Sequence, residues 1–203
     1  MDSLEKSILA TLVYYNVLDQ PMTGWEVFRY LVKKDKFEVN LNKILDILEN
    51  SSELNKFISQ KNGFYFLKGR ESIIKQRIER QIIADRKWKK ARRIIRLLQV
   101  IPYIRMVAVS GSLAMNNTKE ESDIDLLIIT KADRIWTCRA LTTLYLHLIG
   151  QRRHGNLTKD RFCLNHYITD NSLEISGQSL YNAQTYAHLV PMLENGLYQK
   201  FQE

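Results

Sequence analysis

The chain has 203 residues, 45% of them hydrophobic and 26% charged, with a formal net charge of +8. That balance excludes a disordered chain and suits one large globular domain or two small ones. No apolar run approaches the roughly 20 residues of a membrane-spanning helix, and two cysteines, Cys138 and Cys163, are too few for a disulfide framework or a zinc site of their own.

The first residues, Met1-Asp2-Ser3-Leu4-Glu5-Lys6, form neither a basic leader nor a cleavable apolar stretch, so a reduced, cytoplasmic setting is expected. Leu4, Ile8, Leu9, Leu12, Val13 and Tyr15 recur at helical spacing, and Asp19-Gln20-Pro21 ends that segment. Thr23 can cap a second helix carrying Trp25, Val27, Phe28 and Leu31. Asn40 can cap a third with Leu41, Ile44, Leu45 and Leu48. Two β-prone runs flank Asn62-Gly63, a pair that tolerates the positive φ of a type I′ hairpin turn. Three helices followed by a hairpin resemble a winged helix-turn-helix domain over residues 1–70. Such a unit serves DNA binding or partner docking. Its third helix offers Asn40, Asn42 and Lys43 but also Asp46 and Glu49.

Residues 71–99 read as one long helix that opens the second domain, 71–203. Ile74, Ile78, Ile82, Trp88, Ala91, Ile95 and Leu98 make its apolar stripe. The stretch 71–102 holds ten basic and three acidic residues, and so supplies nearly all of the net charge. That face is either solvated or a guide for a phosphate backbone. After Pro102 the period changes. Ile104 to Val109 and Asp123 to Thr130 read as buried strands. An amphipathic helix over 132–150 follows, with Leu141, Leu144, Tyr145 and Leu148 on one side. Phe162 to Ile168 is a third strand, 180–190 is helical, and Pro191 interrupts before a last helical piece. Trp25, Trp88 and Trp136 lie in helical periods as core residues. The order predicts an α/β (α+β) domain with a small mixed sheet and flanking helices.

The chemistry lies in Ser110-Gly111-Ser112, ten residues, then Asp123-Ile124-Asp125. Gly111 lets the backbone approach a bulky anion, Ser112 offers a hydroxyl, and a helix start beyond them offers unpaired N–H groups for phosphate. Asp123 and Asp125 stand at i and i+2 and project from one face, close enough to repel each other until cations intervene. Two metal ions between such acids would clamp the attacking and leaving oxygens of a phosphoryl displacement.

This pattern resembles the polymerase-beta-type nucleotidyltransferase superfamily, and most closely its small, minimal members. The likeness extends over about residues 85–170. It implies transfer of a nucleoside monophosphate from an NTP to a hydroxyl with Mg²⁺ or Mn²⁺. Gly111 and Ser112 would hold the triphosphate, and Asp123 and Asp125 would ligate the metal. Many members carry a third carboxylate on the following strand, and none lies within Phe162–Ile168 here. By alternation Cys163, Asn165 and Tyr167 share one face, which places Asn165 in the catalytic set as a ligand unable to take a proton. His166 is a base only if its ring turns to the site, and Asp160, Asp170 and Glu174 flank the strand.

The missing acid leaves an alternative. The chain would then be a winged-helix DNA-binding regulator or partner-binding protein with a catalytically degenerate transferase domain. Nucleic acid, through helix 71–99 or the winged-helix unit, and a protein partner are the further contacts expected; a membrane is not. The helical end Leu197–Glu203, without a capping signal, also fits a piece of a larger assembly whose acceptor-binding part is supplied elsewhere.

Overall fold

The computed structural model describes residues 1–203 apart from Ser176, Gln178 and Glu203, and apart from the side chains of Asp35 and Asn165. The chain divides into two compact units, Met1–Glu79 and Arg80–Glu203. The division falls inside the long helix, beyond the composition break at residue 70.

In the first unit, helix α1 (Ser3–Val17) opens with a capping box in which Asp2 and Glu5 exchange hydrogen bonds. Strand β1 (Met22–Thr23) leads into α2 (Gly24–Arg29), capped reciprocally by Thr23 and Glu26. Helix α3 (Leu41–Asn50) has Asn40 as its N-cap. Strands β2 (Ile58–Lys61) and β3 (Phe64–Leu67) form the hairpin, with Asn62 at φ 53° and Gly63 at φ 78° in the two-residue turn. The sheet order is β1-β3-β2. Ile8, Leu12, Tyr15, Val27, Ile44 and Leu54 fill the core beneath it. Trp25, expected inside, is exposed.

Helix α4 (Ile73–Leu97) carries the charge concentration. Its buried stripe is Ala84, Trp88, Ala91 and Ile95, carried on by Leu98 just past its end at a 4-3-4-3 spacing, while Ile78 and Ile82 are exposed instead of continuing it. The stripe packs in a core with residues of β4 (Ile104–Ser110) and β5 (Ile124–Thr130). A single turn, α5 (Gly111–Ala114), lies between those strands. Helix α6 (Ile135–Leu148) and strand β6 (Phe162–Thr169) follow, then α7 (Leu180–Ala187), β7 (Val190–Leu193) and α8 (Leu197–Gln202). The mixed sheet has the order β6-β5-β4-β7, with β5 and β6 parallel and the other pairs antiparallel. Along β5, Ile124, Leu126 and Ile128 face the core shared with α4, while Leu127 and Ile129 face a smaller core under Leu189. No described helix is long and apolar enough to cross a membrane.

Two readings of the pattern give way here. The buried side of α6 is Cys138, Thr142 and Leu146, and the Leu141, Leu144, Leu148 row faces outward with Trp136. The segment about Pro191 is no mere interruption but β7, an edge strand, where a residue without an N–H is tolerated. Truncating fully buried Ile128 to Ala should cost about 2–5 kcal/mol, read as a lower denaturation midpoint of the intact chain. Leu148→Ala, at a residue 73% exposed, should stay within about 0.5 kcal/mol of wild type.

Candidate active site

The antiparallel register of β4 and β5 sets Ser110 opposite Asp125, so the chain turns at Gly111 directly beside that carboxylate. Gly111 has φ +65°, and a Cβ built on it would lie 2.5 Å from Asp125 Oδ2. Both facts demand glycine: the left-handed conformation, and the space that a methyl group would take from the acid. The helix start expected after Ser112 begins at Gly111 and lasts one turn. Asp123 lies just ahead of β5 rather than within it, yet its carboxylate and those of its neighbours converge. Ligand atoms of Asp123, Asp125 and Cys163 all lie within 4.8 Å of one another.

What holds Asp123 there is the loop before it, and that loop is tied to α4. The Lys87 side chain, 0% exposed, sits 3.1 Å from an Asp160 carboxylate oxygen and donates to the carbonyls of Glu120 and Ser122. Trp88 Nε1 donates to Asn116 Oδ1 at 2.8 Å, and Arg80 donates to Asn117 Oδ1 at 2.9 Å. Arg86 and Lys159 bind Glu120 and hold its carboxyl down at about 2. On the far side, Ile124 N–H donates to the Arg161 carbonyl at 2.8 Å and Asp160 N–H to Ser122 at 3.2 Å. Lys87, one of the ten basic residues of 71–102, therefore belongs to the interior and not to the charged outer face. A buried ammonium needs partners on every side, and the loop supplies them.

Burial, then the charge of Asp123, raises the carboxyl of Asp125 above its ordinary range. The positive charge at hand is Arg153, which donates to Asp123 Oδ2 at 2.6 Å and to Cys163 Sγ at 3.5 Å. Nothing in the sequence pattern singles out Arg153. It comes from the loop after α6 and reaches the acids because Cys163 on parallel β6 pairs with Asp125. Burial pushes the Cys163 thiol up to about 11, so it stays protonated.

The simple alternation expected along Phe162–Ile168 does not hold. Asp125 pairs with Cys163 but Leu127 pairs with His166, so β6 carries one extra residue. Such a bulge shifts every later side chain to the other face. Tyr167 accordingly packs with Phe162 and Leu164 rather than with Cys163, and Ile168 lies on the opposite core. The Asn165 side chain lies outside the described residues. His166 contacts Tyr186, its Nδ1 2.8 Å from the hydroxyl, and burial lowers its proton affinity. Asp170 accepts from the Ala132 N–H at 2.8 Å, near the opposite end of β5 from the site.

Residues 89–171 match the model of the nucleotidyltransferase domain family, and this part of the chain is a domain of that family. No curated protein matches the chain. The chemistry of such a domain is nucleotidyl transfer, which draws on an NTP and a divalent cation.

Gly111→Ala should push the Asp125 carboxylate out of the cluster. The expected result is loss of Mn²⁺ binding, followed by electron paramagnetic resonance, with the secondary structure retained by circular dichroism. Lys87→Met should cost on the order of 3 kcal/mol, because Asp160 and two carbonyls lose their cation while remaining enclosed. Thermal unfolding of the intact chain measures it.

Proposed function

We propose that the second unit transfers a nucleoside monophosphate from an NTP to a hydroxyl acceptor, with Asp123 and Asp125 as the metal-binding acids and Gly111 and Ser112 against the triphosphate. The carrying observation is the convergence of the glycine bend with the two carboxylates, given the family match. Mg²⁺ or Mn²⁺ suits this donor set, since two close carboxylates are hard oxygen ligands whose mutual repulsion a divalent cation would relieve. When bound, the ion would supply charge neutralisation and polarise the phosphate oxygens. Of the two Asp123 carboxylate oxygens Arg153 holds only Oδ2, so the ion would share that carboxylate with the guanidinium or displace it.

In the reaction the acceptor oxygen bonds to the α-phosphorus, the α–β bridging bond breaks and pyrophosphate leaves. The hydroxyl proton passes to a carboxylate of the pair or to water, since the protonated Cys163 thiol supplies no base. Asn165 stays in the proposed set as a neutral member, tested by Asn165→Ala. Two free, buried cysteines accord with a reduced, cytoplasmic setting.

The first unit supports a winged-helix reading through its order of helix, strand, two helices and hairpin. As a duplex reader it is poorly furnished: Asn40 is spent as a cap, Lys61 is paired with Glu71, and Asp46 and Glu49 share α3 with Lys43. A partner-docking role fits better. On α4, by contrast, Lys89, Arg92, Arg93 and Arg96 are exposed at i, i+3, i+4 and i+7, and none has an acidic partner among the described residues. This stripe is the proposed contact for nucleic acid.

Incubation with α-labelled NTPs and Mg²⁺ or Mn²⁺ should give a labelled product or ligand-bound label that vanishes with chelator and in Asp123→Asn and Asp125→Asn. Metal-dependent NTP binding persisting in both variants would remove the reading. For the stripe, fluorescence anisotropy with single-stranded RNA should show affinity falling steeply with salt, and an Arg92→Glu, Arg96→Glu double variant should lose most of it. Unchanged affinity in that variant would reject the contact.

A further inference from the structure

Beside the acids, the structure forms a cavity of about 390 Å³ lined by Arg139, Arg152, Arg153, His154 and Cys163. Its chemistry is lopsided. Three arginines line it, and no carboxylate does among the described residues. Arg153 alone has an acid, Asp123. Arg139 rests over the rings of Tyr167 and Trp136, at 5.4 and 6.0 Å from the centroids, which fixes its side chain without neutralising it. Arg152 has no acidic partner among the described residues, and the short bridge between Arg152 and Phe162 anchors its backbone to β6.

Cations gathered in a concave site repel one another, and what relieves them is an anion that accepts several forked hydrogen bonds at once. Phosphate does this. The cavity is larger than one phosphate group and falls within the size range of small-molecule sites. Cys163 belongs to both the cavity wall and the aspartate cluster, so a ligand anchored among the arginines has its other end at Asp123 and Asp125.

We infer that this cavity holds the phosphate of the acceptor, so that the acceptor is a small molecule bearing both a phosphate monoester and the hydroxyl that attacks. The inference rests on the transferase reading of the neighbouring acids and adds the class of molecule they modify. Arg139 and Arg152 anchor the phosphate. Arg153 serves as the hinge between the two subsites, because the anion offers it a second partner when a metal claims Asp123.

Calorimetric titration of the full chain tests this with three probes: ribose 5-phosphate, α,β-methylene-ATP with Mn²⁺, and a 5′-phosphorylated oligonucleotide. Ribose 5-phosphate should bind the wild type and lose about tenfold or more in affinity in Arg152→Gln and again in an Arg139→Gln, Arg152→Gln double variant. Asp125→Asn should leave that binding within about twofold while abolishing binding of the nucleotide analogue. The double variant should keep the analogue. Equal affinity of wild type and double variant for the sugar phosphate, or no binding to either, overturns the inference. So does a double variant that loses the analogue instead, which would make the cavity part of the NTP site. Binding of a 5′-phosphorylated oligonucleotide without binding of ribose 5-phosphate would reject a small acceptor in favour of nucleic acid. Failure of the analogue to bind wild type, with sugar phosphate bound through the arginines, would instead strike the transferase reading and leave the anion site standing.

Discussion

Two carboxylates confined with a thiol inside 4.8 Å set the terms for everything around them. Burial and the nearby charge of Asp123 raise the proton affinity of Asp125, and like charges so close push their chains apart. The fold answers with fixed geometry and with countercharge. Geometry comes from the strand register that places Ser110 opposite Asp125 and from a glycine whose missing side chain leaves room for the acid. Countercharge comes from Arg153. An arginine in that position neutralises Asp123 from the solvent side, its own side chain remaining 43% exposed while the carboxylate is 17% exposed.

The basic helix has two functions that composition alone blends together. On its inner side Arg80, Arg86, Lys87 and Trp88 grip the loop between the glycine bend and the acids. Lys87 is the extreme case, a charged residue with no exposed side chain, tolerated because a carboxylate and two carbonyls surround it. On its outer side Lys89, Arg92, Arg93 and Arg96 keep their charge unspent. Net charge counts both groups alike. Their separation depends on a helical phase of a few residues, which places Lys87 at the edge of the Ala84–Trp88–Ala91 stripe rather than opposite it.

The sheet strands β4 to β6, the capped helices and the Asn62-Gly63 hairpin could be read from the sequence because each rests on a local signal: apolar runs, Thr23 and Asn40 as caps, and a turn pair that accepts positive φ. The Gly-Ser and Asp-Ile-Asp spacing likewise marked two stretches that the structure brings together. The rest was hidden for physical reasons. A bulge leaves no mark on composition, yet the one in β6 reverses the faces of Tyr167 and Ile168 relative to Cys163. In α6, Leu141, Leu144 and Leu148 follow a convincing helical period but look outward, since the buried face joins Leu146 to Cys138 and Thr142, two smaller side chains that a hydrophobicity pattern ranks below leucine. Arg153 and Lys87 act through tertiary approach, and spacing along the chain does not encode that.

Pro191 carries a consequence for assembly. It stands within β7, the outermost strand on one side of the larger sheet, opposite Ala108. Having no amide hydrogen, it removes one donor from a strand of only four residues. A proline in so short a rim strand disfavours growth of the sheet by backbone pairing there, which shifts the balance for a docking protein toward side-chain contacts.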